Sequence, residues 1–430
     1  MSWLRMQTTS YYSDMNGQKI QGLLQKTHRA ASGLRTAGEG QVKKVLLLLA
    51  AALEADCGAL LRANARDMGR QDPGNPRNDR LMLNEQRVKA IARSIRKISR
   101  LPDPAGKVLE RKTLENGLKV EKRTVPLGVV GVIYESRPNV TFDIAALCLR
   151  SRNACVLKGS QEAEETNRAA MAMIRKALKT GGVHTDCVTL LPSDRETVQE
   201  LFTATRWVDV LIPRGSDALI QYVRANSRVP VIETGAGVCH VYVEKEADLD
   251  KAVAIVVNAK VSRPSVCNAM DSLLVDRAVA GPLLQRLRGP FEAYGVGILA
   301  DREAWRLLKG YPLLGVARPE DFAREFLSLQ CGVKVVGGID EALAHIEKYG
   351  TRHSEAIVSR NKRQCERFLQ EVDAAAVYAN ASTRFTDGEA LGLGAEIGIS
   401  TQKLHARGPF ALEKLVTEKW VIRGTGQVRE

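Results

Sequence analysis

From Val125 onward the sequence alternates short apolar runs with amphipathic stretches, and this alternation limits the possible folds more than any other feature. VPLGVVGVIYE reads as a strand and DIAALCLRSR as a helix. NACVLKG, CVTLLP, VDVLIPRG and VPVIE follow as strands, separated by the helices ETNRAAMAMIRKALKTGG, RETVQELFTAT and SDALIQYVRANS. Strand–helix repetition of this kind builds a doubly wound parallel sheet that binds ligands at the strand ends. A second α/β set begins near Cys239, with HVYVEK, DLDKAVAIVVNAK, DSLLVD, GVKVVGG, IDEALAHIEKYG, HSEAIVSR and AAAVYANAS. Single cores stop growing near roughly 250–300 residues, so two α/β domains are expected, with a site between them.

The stretch before Val125 has a different texture. Residues 17–65 carry apolar residues at helical spacing, and about the first fourteen residues read as a loose extension. RQDPGNPRND is a turn-rich break, and LNEQRVKAIARSIRKISRL is a basic amphipathic helix with a solvated face. In GKVLERKTLENGLKVEKRTVPLG, Asn116-Gly117 separates two alternating runs, which is a hairpin signal. Its charge keeps the hairpin out of the core. It is expected to project and to pair with a strand near EKWVIRG across subunits.

Composition excludes more than it selects. The net charge of +14 suits anionic partners, yet aromatics are only 5% and no basic–aromatic cluster forms a stacking platform for nucleic acid. The longest apolar run, Val45 to Leu53, is far shorter than the roughly 20 residues of a membrane span. The N-terminus lacks an apolar core of signal-peptide length. The eight cysteines include no CxxC pair and no His at metal-ligand spacing, so no metal site is expected. This usage fits a reducing cytoplasm.

Four places carry candidate chemistry. Cys267, in VNAKVSRPSVCNAM, lies in a polar loop between a helix and a strand, with Arg263 upstream. A nearby cation favours the thiolate, so the residue is either a nucleophile or an ordinary loop cysteine. In YESRPNVTFD, Asn139 follows a strand, where its amide either stabilises an oxyanion or caps the next helix. In LIPRGSDAL, Gly215 and Ser216 place N–H groups at a helix N-terminus, a phosphate-binding arrangement. In VLKGSQEA, Lys158 leaves a strand, to meet a ribose phosphate or solvent. The Gly- and Thr-rich loops NASTRFTDG and GLGAEIGISTQKLHARGP bring the cations Arg384, Lys403 and Arg407, suited to an acidic substrate or a solvated interface. No HExxH, GxSxG or P-loop occurs.

Together, VPLGVVGVIYESRPNVTFD, VDVLIPRGS, VPVIETGAGVCHVYV, VNAKVSRPSVCNAM, GVKVVGGIDEALAHI, NASTRFTDG and LGLGAEIGISTQKLHARGP resemble the glutamate-5-semialdehyde dehydrogenase (gamma-glutamyl phosphate reductase) family. That family is a branch of the aldehyde dehydrogenase superfamily, and the resemblance runs from about residue 17 to about 425. It implies an aldehyde dehydrogenase-like fold, with two doubly wound α/β domains and a projecting oligomerisation hairpin. The NADP-binding domain would span 15–233, with the hairpin at 106–125, and the catalytic cysteine domain 234–382. Residues 383–430 would return to the cofactor domain and supply a C-terminal oligomerisation strand.

The resemblance also implies roles. Cys267 matches the catalytic cysteine and Asn139 the oxyanion amide. Lys158 and Ser160 match the loop at the adenosine ribose and its 2′-phosphate, and Gly215 and Ser216 the pyrophosphate-facing helix. Glu325 and Phe326 match the pair that touches the nicotinamide ribose and ring. The NASTRF loop matches the segment that closes the substrate pocket. Arg137, Arg263, Ser382 and Arg384 are the expected substrate-binding residues. The implied reaction is NADPH-dependent reduction of L-glutamyl 5-phosphate through a cysteine thioester, in proline biosynthesis. A separate glutamate 5-kinase is expected to supply the substrate, and the enzyme to be a cytoplasmic homodimer or homotetramer. Glu233 falls where hydrolytic aldehyde dehydrogenases carry a general base, which a phosphate-releasing reductase does not need. A hydrolytic enzyme on the same fold is the first alternative, and a non-catalytic basic protein that binds nucleic acid is the second. The pyrophosphate helix lacks the superfamily's second glycine after Ser216.

Overall fold

Val129–Tyr134 is apolar and buried along its whole length, as a strand covered by helices on both faces must be. It lies inside a four-stranded parallel sheet of order Val188–Leu190, Ala154–Lys158, Val129–Tyr134, Val210–Arg214. The chain moves outward from Val129–Tyr134 on one side and returns to the other with Val210–Arg214. The strand order reverses there, so the carboxyl ends of these two strands flank the crevice where open α/β sheets bind ligands. The computed structural model describes residues 3–74, 78–135 and 137–429, with side chains from residue 18 onward. It divides into two compact units: Met1–Glu233, Leu393–Gly398 and Phe410–Glu430 form the first, and Thr234–Gly392 with Ile399–Pro409 the second. Residues 383–392 and 399–409 thus group with the second unit, where the sequence reading had returned the chain to the cofactor domain at 383.

In the first unit, helices Pro138–Arg150, Glu164–Thr180, Arg195–Thr203 and Asp217–Asn226 alternate with the strands. Asp194 caps Arg195–Thr203 by accepting from Thr197 N–H. VPVIE, read as a strand, makes only an isolated bridge between Val231 and Leu211, because Pro230 has no N–H to extend a ladder. Helices Trp3–Thr36, Glu39–Ala55, Gly58–Met68 and Glu85–Arg100 precede the sheet. The first of them begins at Trp3, where an extension was expected, and Ile20, Leu24 and Leu34 bury it. The apolar run from Val45 to Leu53 is the buried face of Glu39–Ala55. Among the described residues no helix is long and apolar enough to cross a membrane.

Asn116 and Gly117 form the expected turn. Gly117 has φ 83°, Leu114 N–H donates to Leu118 O at 2.9 Å, and the Asn116 side chain accepts from Leu118 N–H at 3.2 Å. The strands are Val108–Thr113, exposed throughout, and Lys119–Pro126. A third, Val416–Arg423, pairs antiparallel with Lys119–Pro126. The partnership expected across subunits is therefore made within this chain. One arginine from each strand (Arg111, Arg123 and Arg423) donates to the buried carboxylate of Glu121, which ties the three strands together.

The second unit holds a seven-stranded parallel sheet of order Leu314–Val316, Gly297–Ala300, Gln330–Val336, Met270–Asp276, Cys239–Val243, Ser354–Val358, Ala376–Ala379. Met270–Asp276 is buried at every position. Helices Leu249–Val261, Arg277–Ala293 and Ile339–Tyr349 connect these strands, and Val256, Leu283, Leu284 and Phe291 pack against Leu273 and Val275 in one apolar core.

Candidate active site

Helix Leu249–Val261 is capped at its start by Asp248, whose carboxylate accepts from Asp250 and Lys251 N–H. Pro264 cannot continue a helix, so the chain turns through residues 262–269 before entering Met270–Asp276. Cys267 sits in that turn and is half-buried. It precedes its strand, so it lies at the amino edge of this sheet and not at the carboxyl edge.

The turn is held from behind. Cys239, the first residue of its strand, donates its thiol to Cys267 O at 3.2 Å. Burial pushes the Cys239 pKa well up, and the nearby carboxylates of Glu355 and Asp271 push it further, so this thiol keeps its proton. His353 Nδ1 lies 3.7 Å from Cys239 Sγ and 2.8 Å from Ser354 Oγ, and burial brings its pKa down to about 4. Gly237 packs so closely that a Cβ there would stand 1.5 Å from Cys267 O. Gly237 N–H donates to Glu325 Oε1 at 2.9 Å, so one glycine joins the cysteine turn to the Glu325–Phe326 segment.

That segment is anchored by buried charge. Phe326 N–H donates to Asp271 Oδ1 at 3.0 Å. Lys260 Nζ lies 3.5 Å from Asp271 Oδ1 and donates to Ser328 O and Gln330 O at 3.3 and 2.9 Å. Burial pushes the Asp271 pKa up to about 6, against the opposing charge of Lys260. Arg324 lies over the Phe326 ring, 4.6 Å from its centroid.

Residues 382–386 close onto the cysteine turn. Asn268, buried, donates to Thr386 O at 2.9 Å, and its own carbonyl accepts from Thr383 Oγ1 at 2.7 Å. Arg384 donates from Nε to Ser262 Oγ at 3.0 Å and from Nη1 to Asn268 Oδ1. Ser382, also buried, caps the short Thr383–Phe385 helix by accepting from Arg384 N–H. The second unit therefore gathers Cys267, Arg263, Ser382, Arg384, Glu325 and Phe326. The sequence reading missed Gly237, Cys239 and Asn268. The signal for two of them was the proximity of GAGVC to an apolar strand, which says nothing about the turn it meets.

In the first unit, Asn139 stands in the first turn of Pro138–Arg150. It does not cap the helix; its amide donates to Asp143 Oδ2 at 3.1 Å. Burial raises the Asp143 pKa, and Asn139 and Arg214 oppose the rise. Arg137 is the N-cap residue, without a side-chain capping bond. Lys158 ends its strand, and burial lowers its pKa. Ser160 precedes the short helix Gln161–Ala163. Ser216 caps Asp217–Asn226, and its N–H and hydroxyl donate to Glu135 at 2.9 and 2.8 Å. A Cβ at Gly215 would stand 2.6 Å from the Glu135 carboxyl carbon. The donors expected to meet a phosphate thus hold the chain's own carboxylate, so this helix terminus does accept an anion. Glu233 lies 3.2 Å from Arg224 Nε. Among the described residues, no three or more His, Cys, Asp or Glu form a group that could hold a metal ion.

Two parallel-sheet units, one presenting a half-buried cysteine on a braced turn, define an α/β protein with a candidate nucleophile. The aldehyde dehydrogenase family model matches residues 5–304. The gamma-glutamyl phosphate reductase of Chlorobium limicola is 49% identical over 415 residues, covering 96% of this chain and 99% of that protein. The enzyme of the same name from Chlorobium chlorochromatii is 50% identical over 413 residues, covering 95% and 99%. The crystal structure of gamma-glutamyl phosphate reductase from Thermotoga maritima superposes with a TM-score of 0.91 at 39% identity, covering 96% of this chain and 100% of that one. The chain belongs to the aldehyde dehydrogenase family and, within it, to the family of gamma-glutamyl phosphate reductases.

Proposed function

We propose that this enzyme reduces L-glutamyl 5-phosphate to L-glutamate 5-semialdehyde with release of phosphate, the second step from glutamate to proline. The observation that carries the reading is the cysteine turn. Cys267 is half-exposed, its carbonyl is fixed by Cys239 and its neighbour Asn268 is bonded to the 383–386 loop. A nucleophile needs this combination of access and fixed geometry.

In this reading the Cys267 sulfur attacks the γ-carbonyl carbon, the carbon–oxygen bond to phosphate breaks, and the bonding pair leaves on the phosphate oxygen. The thiol's proton returns through solvent to the departing phosphate. Asn139 and the Cys267 N–H are the oxyanion donors, and Asp143 orients the Asn139 amide. The nicotinamide cofactor, when bound, supplies the hydride that reduces the thioester. Lys158, half-buried at a strand exit, suits the 2′-phosphate of NADPH, and Ser160 the adjacent ribose. Gly215 and Ser216 are the residues that would hold the pyrophosphate. Glu325 and Phe326 are assigned to the nicotinamide end.

Arg137, Arg263, Ser382 and Arg384 are the proposed substrate contacts. A glutamate 5-kinase supplies the acyl phosphate, and the protein is a cytoplasmic homo-oligomer. The hydrolytic alternative needs Glu233 as a base, and its pairing with Arg224 speaks against that role. The test is the reverse reaction: NADP⁺ reduction by glutamate 5-semialdehyde with and without inorganic phosphate. Turnover that requires phosphate supports the proposal, and equal turnover without it replaces reduction of an acyl phosphate by hydrolysis.

A further inference from the structure

Two arginines meet at the cysteine turn. Arg263 stands in the turn and is exposed, while Arg384 comes from the 383–386 loop and is half-buried. Arg384 grips the turn on both flanks of Arg263 and Cys267, through Ser262 Oγ at 3.0 Å on one side and Asn268 Oδ1 on the other. Asn268 is itself fixed by Thr386 O and Thr383 Oγ1, so this guanidinium is held in place before any ligand arrives.

No described carboxylate forms a salt bridge with either arginine. Burial and then the like charge of Arg263 work against the Arg384 cation. Asp387 offsets this in part, but its carboxylate accepts from Glu389 and Ala390 N–H at 2.9 and 3.1 Å. Placing two guanidiniums together without an acid is unfavourable until an anion arrives, and guanidiniums bind oxyanions with paired hydrogen bonds. The substrate has two anionic ends. The phosphate is bonded through one of its oxygens to the carbon that Cys267 attacks, whereas the α-carboxylate lies at the far end of the glutamyl chain. One cation on the cysteine turn and one bonded to it are placed for the nearer group, which also carries the larger charge.

We propose that Arg263 and Arg384 are the phosphate clamp of this enzyme: they hold the phosphate of the acyl phosphate as it departs and inorganic phosphate in the reverse reaction. The assignment rests on the acyl-phosphate reading above. As the carbon–oxygen bond breaks, the electron pair goes to the phosphate oxygen, and the two guanidiniums face that developing charge.

Reverse-direction kinetics of the full chain separate the possibilities, with Arg384→Gln, Arg384→Lys and Arg263→Gln. In each Gln variant the KM for inorganic phosphate rises roughly tenfold to a hundredfold, the usual effect of losing a charged hydrogen-bond partner. The KM for glutamate 5-semialdehyde stays within about twofold, and Arg384→Lys recovers part of the loss. A raised KM for the aldehyde with an unchanged KM for phosphate would overturn the clamp and assign the pair to the α-carboxylate. If Arg384→Gln does not fold, Arg263→Gln still decides, because that side chain is exposed. Inorganic phosphate should also slow alkylation of Cys267 in the natural protein and not in Arg263→Gln; equal protection in both overturns the proposal. A natural enzyme that turns over without phosphate would remove the acyl-phosphate reading itself, a result separate from either pattern of variants.

Discussion

Replacing Gly237 by alanine adds one methyl group where the structure leaves no room. An ideal Cβ would lie 1.5 Å from Cys267 O and 2.5 Å from its carbonyl carbon, whereas Cβ atoms essentially never come within 3.0 Å of such atoms. The obstacle is backbone, so no side-chain rotation relieves it, and the two segments must separate by about 1.5 Å (3.0 less 1.5). Gly237 is not among the positive-φ glycines, so alanine meets a clash there and no added conformational strain. Separation moves the Cys267 turn and disturbs the bond from Gly237 N–H to Glu325. A displacement of about 1 Å at a reacting centre costs roughly a hundredfold in rate. Overpacking of this kind destabilises by about 1–3 kcal/mol, a modest loss for a chain with two cores. Gly237→Ala should therefore fold, melt somewhat lower and lose roughly a hundredfold in kcat/KM, with a changed rate of Cys267 alkylation. The assays are thermal unfolding by circular dichroism, steady-state reverse kinetics and timed alkylation. A folded variant with natural turnover and natural alkylation would refute the argument that this glycine sets the position of the nucleophile.

Other expectations follow from the same geometry. Cys267→Ser should fold and lose turnover, with normal unfolding and absent NADPH production as the paired readout. Asn139→Ala should lower kcat by roughly 10²–10³, the usual cost of one oxyanion donor, as single-turnover kinetics would measure. Asp271 holds its proton more tightly folded than unfolded, since burial moves its pKa from 3.8 up to about 6. Its contribution to stability is present at low pH and is lost as pH rises through about 6, at most about 3 kcal/mol. Asp271→Asn should flatten the dependence of unfolding free energy on pH between about 4 and 6, and an unchanged slope would count against a buried, proton-holding Asp271.

The sequence disclosed the parts of this molecule that depend on local order. The run VVGVIY read as a strand of a doubly wound sheet, Asn116-Gly117 as a hairpin turn, and Cys267 as part of a polar loop between a helix and a strand. Longer-range relations were not legible. Gly237 matters because of a turn many residues away, and Asn268 because Thr383 and Thr386 return to it. Gly297–Ala300 and Leu314–Val316 are too short to announce themselves, yet they complete the seven-stranded sheet. One general rule also misdirects: ligand sites are sought at carboxyl ends of strands, but Cys267 lies at an amino edge. The Glu135 carboxylate on the Ser216 donors was equally illegible, because it comes from a distant strand end. The charged hairpin found its third strand within the chain, in an antiparallel ladder with Val416–Arg423, and Arg111, Arg123 and Arg423 share the Glu121 carboxylate there.

The proposed thioester on Cys267 is open to direct observation. The enzyme is mixed with glutamate 5-semialdehyde and NADP⁺ in phosphate-free buffer, NADPH formation is followed by absorbance, and the quenched protein is weighed intact and mapped by peptide mass. The account predicts one NADPH per active site, a glutamyl adduct on the peptide that carries Cys267, and discharge of that adduct with continued turnover when inorganic phosphate is added. Steady NADPH formation without phosphate, or an adduct on another residue, would contradict it.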